Sequence, residues 1–179
     1  GLEGTAILAT DFSAELARAG VPEGLLERAR AFMTEISVVR EALALAEVGV
    51  NSMHDPTEGG ILGGLAELAY ASGRHIEVWE DKMLVRPETE AVCRALGVDP
   101  LRLISSGCLL ATLPPGKLDG AREALSGLGV EWAVIGEVGE GPPGLLVHRR
   151  DGRAERVGPF VEEELARLVS SRRPVSAPR

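Results

Sequence analysis

Helical and extended patterns interleave along this 179-residue chain, which predicts an α/β or α+β domain whose mixed sheet is covered by helices. Three observations carry that expectation. Residues 37–48 place Val38, Val39, Ala42, Leu43, Leu45 and Ala46 on one side of a helix. Residues 75–79 alternate as a half-buried strand does. Glycines 49, 73 and 97 stand just past the ends of helical patterns, where a helix stops most easily.

Taken in order, residues 5–9 form a short apolar run with strand character. Residues 11–34 carry helical spacing broken at Gly20 and Pro22, which predicts two short helices or one helix and a loose arm. The helix of 37–48 follows, then a strand over 50–54, a turn over 55–60 and a helix carrying Ile61, Leu62, Leu65, Leu68 and Ala69. Beyond strand 75–79, helices are predicted over 87–96, 117–128 and 162–169, and strands over 109–113, 132–138 and 144–148. No internal repeat or interior linker divides the chain, so one body is expected over residues 1–170, with a disordered basic tail over 171–179.

Composition narrows the functional classes. A 45% hydrophobic, 26% charged sequence is ordinary for a globular protein, and 3% aromatic content leaves the core to Leu, Val, Ile and Ala. A net charge of -8 disfavours nucleic-acid binding, which needs a basic surface. No apolar run approaches the roughly 18 residues that cross a bilayer, so no membrane partner is expected. Cys93 and Cys108 lack a CxxC spacing, which argues against a zinc site or disulfide framework and makes a cytoplasmic location the expectation. No metal ligand cluster is visible.

The sharpest feature is Met53-His54-Asp55-Pro56-Thr57-Glu58-Gly59-Gly60-Ile61-Leu62-Gly63-Gly64-Leu65, in which four glycines open an apolar helix. Each helical glycine costs about 1 kcal/mol relative to alanine, so a close approach by ligand or neighbouring backbone is expected. Unpaired N–H groups at a helix start favour an anion such as phosphate. Thr57 is the expected N-cap, with Glu58 at the first helical position and Asp55 holding the turn or a ligand hydroxyl. A tightly packed turn without ligand is the competing reading, and His54 is open between phosphate contact and a strand-end role. The motif lacks the Lys-Ser/Thr of a P-loop and is not a GxGxxG fingerprint.

The order GLEGTAILAT, ISVVREALALAEVGV and MHDPTEGGILGGLAELAYASG resembles the C-terminal domain of the aminoimidazole ribonucleotide synthetase (PurM-like) superfamily, in its HypE branch. That branch has DPTRGGL where this chain has DPTEGGI. LGVDPLRLISSGCLLATLPP resembles its LGLDP followed by an EGxLL strand, and WAVIGEV resembles its AxxIGxV strand. The resemblance narrows the fold to α+β, with a largely antiparallel mixed sheet in three layers. It implies a homodimeric, two-domain parent whose N-terminal domain, expected to lie outside this sequence, carries most of the ATP- and Mg²⁺-binding acids. Asp55, Thr57, Gly59, Gly60 and His54 are implied to line a nucleotide or substrate groove, with Ser105, Ser106 and Gly107 as its second wall. The parent is implied to use ATP to activate an amide, carbamoyl or carboxyl oxygen, and this chain alone is expected to be inactive. No residue is assigned a catalytic role: Ser106 stands where the branch has an acid, and the printed sequence ends RPVSAPR where the branch has a PRIC-like tail. A non-catalytic partner-binding or regulatory module keeping the fold is the alternative.

Overall fold

The computed structural model describes residues 1–172. Its elements run α1 (Leu2–Asp11), α2 (Ser13–Arg18), α3 (Glu23–Ala31), α4 (Val39–Val48), β1 (Ser52–His54), α5 (Gly60–Ser72), β2 (His75–Trp79), α6 (Pro87–Leu96), β3 (Leu110–Thr112), α7 (Leu118–Leu128), β4 (Gly136–Gly139), β5 (Gly144–His148), β6 (Ala154–Val157) and α8 (Glu164–Arg172). The class is α+β. β1 and β3 pair antiparallel as a two-stranded ribbon, and a separate sheet has the order β4-β2-β5-β6. In that sheet β2 runs parallel to β5, whereas the β2–β4 and β5–β6 pairs are antiparallel. The largely antiparallel expectation therefore holds, in two sheets.

Three apolar clusters hold the body together. Leu62, Leu65, Ala66 and Ala69 of α5 pack on Ile76, Val78, Leu145 and Val147, the inward residues of β2 and β5. Leu8, Ala9, Leu16, Leu26, Ala29, Val92 and Cys93 join α1, α2, α3 and α6, with Leu165 and Leu168 of α8 packed against them. Leu45, Ala121 and Leu125 hold α4 and α7 together beside Leu109 and Ala111 of the ribbon segment.

The first strand expectation is overturned: residues 5–9 belong to α1, where Gly4, Thr5, Ala6, Leu8 and Ala9 are buried. A helix enclosed on most sides is apolar on most sides, so its short apolar run carries no period that separates it from a strand. Gly20 and Pro22 do separate α2 from α3. Residues 132–135 are irregular, because Trp132 and Ile135 point into different clusters, and the strand begins at Gly136. β6 was absent from the sequence expectation, although Asp151-Gly152 is a hairpin signal and Gly152 takes φ +85° between β5 and β6. α8 extends to Arg172, and the rest of the expected tail lies outside the described residues.

Beside the α5 cluster, the side chain of Arg149 is largely buried among acids. Its Nη2 lies 2.6 Å from Asp99 Oδ2 and its Nε 3.1 Å from Glu80 Oε2, while Arg102 lies 2.6 Å from Glu155. Burial opposes the charged guanidinium, but the hydrogen bond and charge of Asp99, with Glu80 and Glu155, raise the Arg149 pKa above its ordinary value. This cluster ties β5 and β6 to the loop before residue 100.

Both cysteines are unpaired, and burial pushes the Cys93 thiol up to about 12. At pH 8 that leaves roughly a thousandfold less thiolate than an ordinary cysteine has. Alkylation of the folded protein is therefore expected to spare Cys93, and denaturant should restore ordinary reactivity. Mass spectrometry after brief iodoacetamide treatment checks this; rapid native labelling of Cys93 would contradict its burial.

Candidate functional site

β1 ends at His54, and the chain turns through Asp55-Pro56-Thr57-Glu58 before α5 begins at Gly60. Pro56 is buried, whereas Asp55, Thr57 and Glu58 are exposed. Thr57 is not the N-cap. Gly59 takes that position at φ 72°, with no side-chain cap, so Glu58 lies before the helix and not at its first position. The Thr57 carbonyl accepts from Gly60 N at 3.1 Å and from Ser105 N at 3.2 Å. That second bond joins the turn at 54–60 to the turn at 105–108.

The glycines answer to the protein's own backbone. A Cβ on Gly60 would sit 2.6 Å from the Leu101 carbonyl oxygen and 2.7 Å from that of Leu103. One on Gly59 would lie 3.0 Å from the Val161 carbonyl oxygen, and one on Gly63 would lie 2.7 Å from that of Glu58. Gly64 leaves room for Pro56 and for the His54 ring. Of the N–H groups at 57–60, that of Gly60 is bonded to the Thr57 carbonyl, and carbonyl oxygens stand where side chains on Gly59 and Gly60 would be. Gly59 and Gly60 shape the turn from beneath.

Ser105 is also interior. Its hydroxyl accepts from the Gly1 nitrogen at 2.6 Å and donates to the Leu103 carbonyl at 3.1 Å. Thr5 Oγ1 lies 2.8 Å from Thr89 Oγ1 and 2.6 Å from the Gly1 carbonyl, so buried hydroxyls stitch α1 to α6 beside this turn. Ser106 and Gly107 are half-buried. Gly107 has φ +93°, and a Cβ there would meet Leu2 Cδ1 at 3.0 Å and Ile36 Cα at 3.1 Å. Burial raises the Cys108 pKa, and the Asp55 carboxylate raises it as well.

Some participants were not foreseen. Glu67 of α5 meets His54, Oε2 to Nε2, at 2.5 Å. Glu67 follows Gly64 by three positions, a spacing that puts both on one helix face and could have identified it. The stretch 101–103, Val161 and Glu163, whose Oε1 accepts from Ile104 N at 3.0 Å, gave no local signal. No group of three or more His, Cys, Asp or Glu side chains suited to a metal occurs among the described residues. No helix there is long and apolar enough to cross a membrane.

A glycine turn is thus seated on a second turn through Thr57 and Ser105. Residues 1–148 match the family model described as AIR synthase related protein, C-terminal domain. The chain belongs to this family. Among its relatives, the carbamoyl dehydratase HypE of Rhizobium leguminosarum bv. viciae is 35% identical over 103 residues, 56% of this chain and 29% of that protein. The crystal structure of Escherichia coli HypE matches with TM-score 0.63 and 29% identity, over 73% of this chain and 41% of that one. A structure of the hydrogenase maturation protein HypE in complex with ATP matches with TM-score 0.59 and 28% identity, over 66% of this chain and 38% of that one. The chain thus aligns with about a third of the length of its curated AIR synthase related relatives, as a HypE-like C-terminal domain.

Proposed function

We propose that this chain closes the active-site groove of an ATP-dependent enzyme that activates an amide, carbamoyl or carboxyl oxygen by phosphoryl transfer. The observation that carries the reading is the joining of turn 54–60 to turn 105–108 through the Thr57 carbonyl and the Ser105 N–H. Asp55, Thr57, Ser106, Gly107 and His54 form the rim facing a nucleotide or phosphorylated substrate. Ser105, Gly59 and Gly60 support that rim from within. The ATP complex of a HypE relative supports the choice of ligand.

The residues present fit a metal–nucleotide complex better than a bare anion. Asp55 and Glu58 make the rim acidic, and the Gly60 N–H at the helix start beside them is already bonded to the Thr57 carbonyl. Mg²⁺ would supply neutralisation of phosphate charge. Asp55 would hold its water shell, and Thr57 and Ser106 would offer hydroxyls to phosphate oxygens. Most of the ATP- and Mg²⁺-binding surface would lie in a domain outside this chain, which alone would not turn over. His54, paired with Glu67, brings an imidazole to this rim.

Titrating ATP, with and without Mg²⁺, into the isotopically labelled chain tests the reading. Weak, Mg²⁺-dependent amide shifts at 54–57 and 106–107 are expected, without ATP hydrolysis. Shifts confined to the four-stranded sheet, or none at these two turns, would overturn it in favour of a partner-binding module.

A further inference from the structure

The pairing of His54 with Glu67 has a directional consequence for the site proposed above, on which this inference rests. The ring's Cδ2 edge is turned to α5, where a Cβ on Gly64 would lie 3.1 Å from it. Nε2, next along that edge, lies 2.5 Å from Glu67 Oε2. A carboxylate only accepts, so Nε2 carries the proton. Nδ1 lies on the opposite edge and makes no hydrogen bond among the described residues. The ring is half-buried and adjoins Asp55, at the end of β1.

We propose that Glu67 is a positioning residue that fixes the His54 ring, so that Nδ1 is the atom presented to a phosphoryl oxygen of the nucleotide complex at the rim. A ring held only at Cβ would rotate and offer either nitrogen. Held by Glu67 and by the slot that Gly64 leaves, it offers one. Neutral His54 presents Nδ1 as an acceptor, and protonated His54 presents it as an N–H donor. The latter is the form that meets a phosphoryl oxygen. Glu67 of α5 is the carboxylate that meets the ring.

Isosteric substitution separates this from a purely structural tie. The amide nitrogen of asparagine superposes on Nδ1, and that of glutamine on Nε2. If Nδ1 meets the ligand, His54→Asn keeps most of the Mg²⁺–ATP affinity and His54→Gln loses about tenfold, the worth of one charge-assisted hydrogen bond. Glu67→Ala should lower affinity with an unchanged melting temperature, and the downfield His54 Nε2–H proton resonance of the wild-type chain should vanish into solvent exchange. The opposite order, with His54→Gln retaining affinity and His54→Asn losing it, overturns the proposal. So does an Nε2–H resonance that persists in Glu67→Ala. If the resonance behaves as expected but neither Mg²⁺–ATP nor any variant produces shifts at the rim, the nucleotide reading fails, and with it the role of Nδ1. Only the hold of Glu67 on the ring would then stand.

Discussion

Gly60→Val is expected to lower the melting temperature by roughly 10 °C, the largest effect of any single substitution at the glycine turn. Two penalties act together. Gly60 sits at φ +65°, a conformation that costs a β-branched residue about 1–3 kcal/mol. Its Cβ would also fall 2.6 Å from the Leu101 carbonyl oxygen and 2.7 Å from that of Leu103, and forcing atoms into a packed interior costs about 1–3 kcal/mol more. For a domain of this size each kcal/mol shifts the transition by about 2–4 °C. Gly73→Val isolates the first penalty, because Gly73 has φ +66° but open space around it. Circular-dichroism melts of the two variants should therefore differ clearly. Equal melting temperatures would mean that the 101–103 backbone gives way.

Asp99→Ala is expected to destabilise the fold by about 1.5–3 kcal/mol, since it removes a charge-assisted hydrogen bond from a half-buried guanidinium. Asp99 accepts from Arg149 at 2.6 Å and also from Leu101 N at 3.0 Å, so the change frees that guanidinium and uncaps the turn at 100–102. Arg149 Nη1 is already buried without a partner, which leaves little capacity to rearrange. Urea unfolding of the variant measures the loss. Asp151→Ala, which breaks the exposed pair with Arg153, should leave the transition where it is. A similar loss in both variants would show that net charge, and not the buried cluster, governs stability.

The two turns also show how far sequence reaches. Helices with one apolar face and a glycine after the last turn were legible, because that face and the left-handed C-cap are local demands. Gly49, Gly73, Gly97 and Gly129 all take positive φ at such ends. Strand β2 was legible for the same reason: Ile76 and Val78 are buried while their neighbours are half-buried. α1 was misread, since enclosure on most sides erased the period that would have marked it as a helix.

At the candidate site, the sequence by itself determined that four glycines near a helix start require something to come close. It also marked Asp55, Thr57 and Ser106 as groups of interest, through the family resemblance. What comes close was decided only by the tertiary structure. The carbonyls of Leu101, Leu103 and Val161 stand where side chains on Gly59 and Gly60 would be, and Ser105 turns its hydroxyl inward to Leu103. A missing Cβ declares a vacancy but not its occupant, because the occupant arrives from some 40 to 100 residues away along the chain. The same holds for charge: Glu67 for His54, and Asp99 for Arg149, are partners chosen by packing, and no local pattern encodes that choice.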